Sequence, residues 1–179
     1  YRPHCQSCSS CVPVRIPVAD FMPTRRHKRT MSKNGDLVVS ETIDIDTSEH
    51  YRLYENYIAG RHHDGDMYPA NHEQYKQFLV EESRFACYSE FRLNDELIAV
   101  SVFDHLPDSL SAIYTFFDPS HANRSLGSYV ILRLIQLAET KQLSHVYLGY
   151  WVQDCRKMSY KIDYRPVELR LNDRWQQLT

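Results

Sequence analysis

The sequence predicts an α+β domain: a mixed central sheet with helices on both faces. Three observations carry this. Leu110 to Phe117 and His145 to Tyr150 are strand-like runs, and the stretch between them, from about Arg124 to Lys141, puts Val130, Ile131, Leu134, Ile135 and Ala138 on one 3.6-residue stripe. Glu96 to Phe103 leaves almost no polar face, because Leu97, Ile98, Ala99, Val100 and Val102 nearly fill it, so it should lie centrally. Phe85 to Leu93 precedes it through Asn94-Asp95, a two-residue hairpin signal.

The other elements follow from local signals. Leu37 to Ile45 alternates with β-branched residues and reads as a strand. Thr47 or Ser48 caps a helix running through Tyr51, Leu53, Tyr54, Tyr57 and Ile58 to about His62, where Asp64-Gly65-Asp66 breaks it. A second helix covers about Asn71 to Val80, with Tyr75, Phe78 and Leu79 as its apolar side. A short helix at about Asp154 to Ile162 and a strand from Pro166 to Leu171 complete the order β-α-α-β-β-β-α-β-α-β. Residues 1–35 stand apart, with four of the eight prolines, three of the five cysteines and a basic run. They are expected to be the loop-rich remnant of a cysteine-rich N-terminal module ending in a basic linker, with residues 36–179 forming the main domain.

The bulk numbers narrow the function classes. A length of 179 residues supports one core, and 42% hydrophobic with 25% charged residues excludes a disordered chain. A net charge of −2 argues against a protein coated in nucleic acid, but leaves room for a local basic patch. No apolar run is long enough to cross a bilayer. An odd cysteine count with tight local spacing points to a reduced, cytoplasmic protein rather than a secreted disulfide framework. The chain opens at Tyr1 without an initiator methionine, so further material upstream is expected.

The chemistry concentrates between Tyr114 and Lys161. A strand ending in Tyr114-Thr115-Phe116-Phe117-Asp118-Pro119 feeds a helix through Arg124-Ser125-Leu126-Gly127-Ser128-Tyr129. Backbone that lets a ligand approach a helix N-terminus closely suits a phosphate-bearing donor. This order of elements resembles the general N-acetyltransferase (GNAT) fold, whose phosphate turn has the form Arg/Gln-X-X-Gly-X-Gly/Ala. Tyr129 stands where that turn has a small residue, which speaks against an ordinary coenzyme A site.

A closer resemblance covers essentially the whole chain. Tyr-Arg-Pro-X-Cys-X-X-Cys-X-X-Cys-Val-Pro-X-Arg-Ile-Pro-Val (residues 1–18), Gly65-Asp66-Met67, the Tyr114–Pro119 strand end, Arg124 to Gly127, Tyr147-Leu148-Gly149-Tyr150-Trp151 and Cys155-Arg156-Lys157-Met158-Ser159-Tyr160-Lys161 occur in this order. They resemble the bacterial aspartate/glutamate leucyltransferases, relatives of the arginyl-tRNA–protein transferases, without the family's N-terminal segment. The resemblance implies a cytoplasmic enzyme of the N-degron pathway. It moves leucine from leucyl-tRNA to the α-amine of proteins beginning with Asp or Glu, and needs no cofactor for the transfer. Such acyl transfer asks for positioning and an oxyanion donor more than a strong base, since an α-amine has a pKa of about 7.7–8.0.

Candidate roles follow. Arg124, Leu126 and Gly127 would bind the donor's terminal adenosine or ester end. Arg156, Lys157 and Lys161 would meet an acidic N-terminal side chain, against the plainer reading of a solvated helix face. Tyr114, Tyr150 and Tyr160 are candidates for orienting the adenine or relaying a proton, with Tyr114 and Tyr160 taken as the catalytic pair, although with thirteen tyrosines most are packing. Asp104, ending a central strand, is as good a candidate for acid–base work as for an ordinary strand-end turn. Arg25, Arg26, Lys28, Arg29 and Lys33 are candidates for tRNA backbone contact, against a solvated linker. Cys5, Cys8 and Cys11 offer three thiolates to zinc or an iron–sulfur cluster, one short of four. The upstream cysteine implied by the resemblance would complete the set in the full-length protein. His62-His63-Asp64-Gly65-Asp66 has metal-ligand residue types but fits a helix C-terminus better. Cys155 reads as a structural or substrate-lining residue. The competing functions are an arginyl-tRNA donor with the same acceptors, a coenzyme A-dependent acetyltransferase, and a non-catalytic RNA- or metal-binding protein.

Overall fold

The computed structural model describes residues 10–81 and 85–178. One eight-stranded sheet organises the chain: β1 (Val12–Pro17), β2 (Val38–Thr42), β3 (Ala86–Leu93), β4 (Glu96–His105), β5 (Ser109–Phe117), β6 (His145–Trp151), β7 (Val167–Leu171) and β8 (Arg174–Leu178). Their spatial order is β2-β3-β4-β5-β6-β1-β7-β8. Every pairing is antiparallel except β5 with β6. Helices α1 (Arg25–Lys33), α2 (Ser48–Arg61), α3 (His72–Tyr75, continued by a π-turn over Lys76–Glu81) and α4 (Leu126–Thr140) pack against it.

β4 is the central strand its composition demands, with Leu97 to Phe103 buried without a break. Successive side chains of a strand point to opposite faces, so it serves two cores. One gathers α4 through Leu126, Val130, Leu134 and Ile135, with Val14, Ile16, Phe91 and Val146. The other gathers α2 and α3 through Leu53, Tyr54, Ile58, Tyr75 and Leu79, with Tyr88, Val102 and Phe116. Thr47 caps α2 by accepting from the His50 amide, in keeping with the cap expected there.

The N-terminal fifth departs from expectation. The loop and linker expected before residue 36 are, from residue 12 onward, largely a strand and a helix. Val12, Val14 and Ile16 alternate with Pro13, Arg15 and Pro17, a period-two pattern that the prolines disguise. β1 lies between β6 and β7, yet its β7 ladder covers only Val14 and Arg15, so both prolines flank it where a missing donor costs least. α1 starts at Thr24, whose hydroxyl accepts from the His27 amide while the His27 ring accepts from the Thr24 amide. Its buried face consists of His27 and Thr30, and His27 stacks on Tyr164 at 5.0 Å. Strand β8 was not expected either. It returns from β7 through Asn172-Asp173, both at positive φ, as Asn94 and Asp95 are between β3 and β4. The short helix expected at 154–162 is a 3-10 turn over Ser159–Asp163.

Gly60 marks a close approach. A Cβ there would stand 2.7 Å from Pro119 Cγ, and a proline ring cannot swing aside. Helix propensity favours alanine over glycine by ~1 kcal/mol, but overpacking costs ~1–3 kcal/mol. Gly60→Ala should therefore destabilise the protein by about 1 kcal/mol. Urea unfolding reads the sign, and a stabilised variant would mean that Pro119 yields.

Candidate active site

The site is created by a parting of the sheet. β5 and β6 are paired only at Ser109–Ser111 against His145–Tyr147. β5 nevertheless stays paired to β4 out to Phe117, and β6 to β1 out to Trp151. Beyond Ser111 and Tyr147 the two strands have no ladder with each other, so their facing backbone groups have no strand partner across the gap. α4 begins beside this notch. Ser125, at φ 55°, supplies no side-chain cap, so the leading amides keep free donors and the positive end of the helix dipole. Gly127 sits here, its Cβ position 3.5 Å from the Phe117 ring.

Tyrosines wall the notch on the α2 side. The Tyr57 ring lies 4.9 Å from Phe117 and 6.2 Å from Tyr114. Its hydroxyl is 3.1 Å from His62 Nε2, and the Tyr114 hydroxyl is 3.7 Å from Met67 Sδ. Burial raises both phenols, Tyr57 to about 12. Tyr160 comes from the other side, close enough for its charge to affect Tyr57. It is 41% exposed as a residue, yet its phenol is crowded enough for burial to raise it too. All three phenols are protonated at neutral pH and can donate hydrogen bonds; none can serve as a phenolate base.

Lys161 is the cation inside the site. Its Nζ donates to the Tyr150 carbonyl at 2.7 Å, on the stretch of β6 that has left β5. It also stands 3.7 Å from where a Gly149 Cβ would be. Gly149 has a φ of 75°, a backbone conformation that favours a residue without a side chain. Burial pushes the Lys161 ammonium below its ordinary value, with Cys155 opposing. Lys157 Nζ reaches Asp64 at 3.2 Å, tying the segment before Tyr160 to the loop after α2. Both partners are exposed, so the tie is weak. Arg156 is exposed beside it.

α1 borders the same region. Lys33 Nζ donates to the Asn123 carbonyl at 2.5 Å, and Asn34 Nδ2 donates to the Arg124 carbonyl at 2.9 Å, immediately before α4. Arg26 meets Asp163 at 3.5 Å. Arg25, Arg26, Lys28, Arg29 and Lys33 are all exposed.

The structure thus gathers Tyr114, Tyr160, Lys161 and Gly127 around the notch, with Lys157 nearby. Three candidates sit differently. Asp104 pairs with Ala86 and Ser111, at the closed end of the notch and one strand away from β6, so the structure does not bring it to the other candidates. The Arg124 guanidinium forms a two-point ion pair with Asp36, at 2.8 and 2.9 Å, which holds the α1–β2 turn. The Leu126 side chain is buried in the core, leaving only its backbone facing outward. Tyr129, which replaces the small residue of the phosphate turn, is 2% exposed and packs edge-on against Phe91. Its bulk points into the core, so its place in the turn no longer speaks against coenzyme A. Cys5 and Cys8 lie outside the described residues, and Cys11 is a half-buried free thiol. Among the described residues no group of three His, Cys, Asp or Glu side chains could hold a metal. No helix among them is long and apolar enough to cross a membrane. Tyr57 joins the site without having been foreseen, because its helical spacing reads equally well as packing; His62, singled out in the sequence for its residue type, meets it there.

Burial also lowers the pKa of four histidines, His27, His50, His62 and His145, from an ordinary value of 6.5. For His50, 3.0 Å from Glu90 Oε1 but poorly aligned for a hydrogen bond, desolvation outweighs the carboxylate's attraction. The unfolded chain takes up these protons near pH 6.5 and the folded chain only at lower pH. Their contribution is therefore present above about pH 6.5 and is lost as pH falls through the folded values. Thermal unfolding should show Tm falling below pH 6.5, before carboxylates titrate. A flat Tm down to pH 5 would contradict the burial of these rings.

Comparison with known proteins agrees with this geometry. The family model described as "Arginine-tRNA-protein transferase, C terminus" matches residues 49–171, and its N-terminus counterpart matches residues 1–29. An aspartate/glutamate leucyltransferase of Pseudomonas aeruginosa is 51% identical over all 179 residues, which span 76% of its length. Solved structures share the fold at low identity. The ribosomal-protein-S18-alanine N-acetyltransferase of Escherichia coli matches with a TM-score of 0.51 at 11% identity, over 71% of this chain and 75% of that one. The L-PGS structure of Bacillus licheniformis matches with a TM-score of 0.56 at 8% identity, over 93% of this chain and 58% of that one. The architecture is a GNAT-like acyltransferase fold, and the chain belongs to the aspartate/glutamate leucyltransferases within the arginine-tRNA–protein transferase family.

Proposed function

We propose that this enzyme transfers leucine from leucyl-tRNA to the α-amine of proteins whose first residue is Asp or Glu. The observation that carries the reading is the β5–β6 notch beside the uncapped start of α4, with the exposed basic α1 along its border. A strand-lined notch suits the aminoacylated 3′ end of a tRNA, and a short basic helix suits its acceptor-stem phosphates.

In this reading the acceptor amine, largely or partly neutral near pH 7–8, attacks the ester carbonyl. The C–N bond forms, the C–O bond to the ribose breaks, and the amine's proton ends, directly or through water, on the departing ribose oxygen. The Lys161 ammonium and the free amides at Leu126 and Gly127 stabilise the oxyanion. The protonated phenols of Tyr114 and Tyr160 donate to reacting oxygens. Arg156, exposed near the mouth, pairs with the acceptor's acidic side chain; Lys157 joins it by exchanging Asp64 for the substrate. Asp104 has no part in these steps.

The test is transfer of radiolabelled amino acid from leucyl-tRNA and, separately, arginyl-tRNA to peptides beginning with Asp, Glu or Ala, with labelled acetyl-CoA alongside. Label from leucyl-tRNA on Asp and Glu peptides only is the expected result. Label from arginyl-tRNA would reassign the donor, and label from acetyl-CoA alone would replace the reaction.

A further inference from the structure

A second cavity lies on the opposite flank of α4 from the notch. It opens between α4 and the strands β2, β3 and β4, and has a volume of about 140 Å³. A cavity of ~150 Å³ is known to hold benzene, so this one suits a ligand of under about ten heavy atoms. Its floor is a polar row formed by strand register: Glu41 is opposite Ser89, and Ser89 is opposite Ser101. Ser101 is 1% exposed and its hydroxyl has no hydrogen-bond partner, which is costly for a buried polar group unless a ligand or water meets it. Phe91 beside this row and Val130 and Leu134 on α4 make the remaining wall apolar.

Two charges of opposite sign flank the same cavity. Glu41 is on the sheet side and Arg133 on the helix side, and neither forms an ion pair among the described residues. A carboxylate, a guanidinium, an unmet buried hydroxyl and an apolar wall together are complementary to one compact ligand with a cation, an anion and a hydrocarbon tail. A simple cation or anion would leave one charge unmatched, and a hydrocarbon would leave Ser101 unmet.

We propose that this cavity binds a free aliphatic α-amino acid, its ammonium toward Glu41, its carboxylate toward Arg133 and its side chain against Phe91, Val130 and Leu134. The site is separate from the notch and needs neither tRNA nor an acceptor. One helix serves both, Gly127 at the notch and Val130 to Leu134 at the cavity, so an occupant would brace the helix whose first turn meets the donor.

Isothermal titration of the purified protein with L-leucine tests this. The comparison ligands are 4-methylpentanoate, which lacks the amine, and 3-methylbutylamine, which lacks the carboxylate. Saturable binding of L-leucine is expected, weakened at least tenfold in Arg133→Met and in Glu41→Gln and retained in Lys161→Met. Both single-function analogues should bind at least tenfold more weakly. Both cavity substitutions are at partly or fully exposed positions, and circular dichroism checks that each variant is folded; either one suffices. Absence of saturable binding overturns the proposal. So does binding lost in Lys161→Met but unchanged in the cavity variants, which would place leucine in the notch, or equal binding of either analogue. None of these outcomes depends on whether the protein performs the transfer.

Discussion

Lys161→Met is expected to lower transfer by two to three orders of magnitude while the protein stays folded. Removal of one well-placed oxyanion donor typically costs ~10²–10³ in kcat. Lys161 stands at the parted stretch of β6, held by the Tyr150 carbonyl at 2.7 Å in surroundings that lower its pKa. A charge in such surroundings acts more strongly than one in water. Methionine keeps the length and apolar contacts of the lysine stem, so the substitution isolates the charge. The measurement is single-turnover transfer from leucyl-tRNA to an Asp-initiated peptide, with tRNA binding measured in parallel. The rate should collapse with little change in binding. A loss within threefold would place the ammonium in a packing role and leave the oxyanion to the α4 amides.

The second large effect should fall on binding and spare the chemistry. Arg25, Arg26 and Arg29 are exposed on α1, and Arg26 has only a weak contact with Asp163. Glutamine is a good helix former, so replacing all three should leave α1 intact. Each phosphate contact contributes about 0.9 to the slope of log K against log salt on duplex nucleic acid, which near 0.1 M salt is roughly tenfold in affinity. The triple variant should bind leucyl-tRNA about 10²–10³-fold more weakly at 0.1 M salt, with a salt slope shallower by about three. Transfer at saturating tRNA should be nearly normal. An unchanged salt slope would remove α1 from the tRNA surface.

What could be read from the chain beforehand follows the range of the interactions involved. Leu97 to Phe103 and the stripe Val130 to Ala138 are legible because a buried strand and an amphipathic helix write their periods into adjacent residues. Asn94-Asp95 is legible as a hairpin because the turn's positive φ angles select that dipeptide. Asn172-Asp173 carries the same signal, but the chain after it, Arg174 to Leu178, is too polar to announce a strand. β1 shows the opposite case: its alternation is present, but prolines argue against a strand until tertiary structure shows that one neighbour pairs with only two of its residues.

The candidate site divides in the same way. The strand–helix–strand block and the Tyr160-Lys161 pair were visible, since glycines, a helix start and clustered polar groups are local features. The pairing of Arg124 with Asp36, 88 positions apart, was not, nor was the place of Asp104 at the closed end of the notch. Residue types and periods, which depend on neighbours a few positions away, determined by themselves the fold class and the region of the chemistry, while the family came from the resemblance of the ordered motifs. Only the tertiary structure decided which charges are already spent on other side chains, which tyrosines meet at the notch, and that Lys161 is the cation within it. Those outcomes depend on strand register and on where β5 and β6 part, and no stretch of sequence carries either by itself.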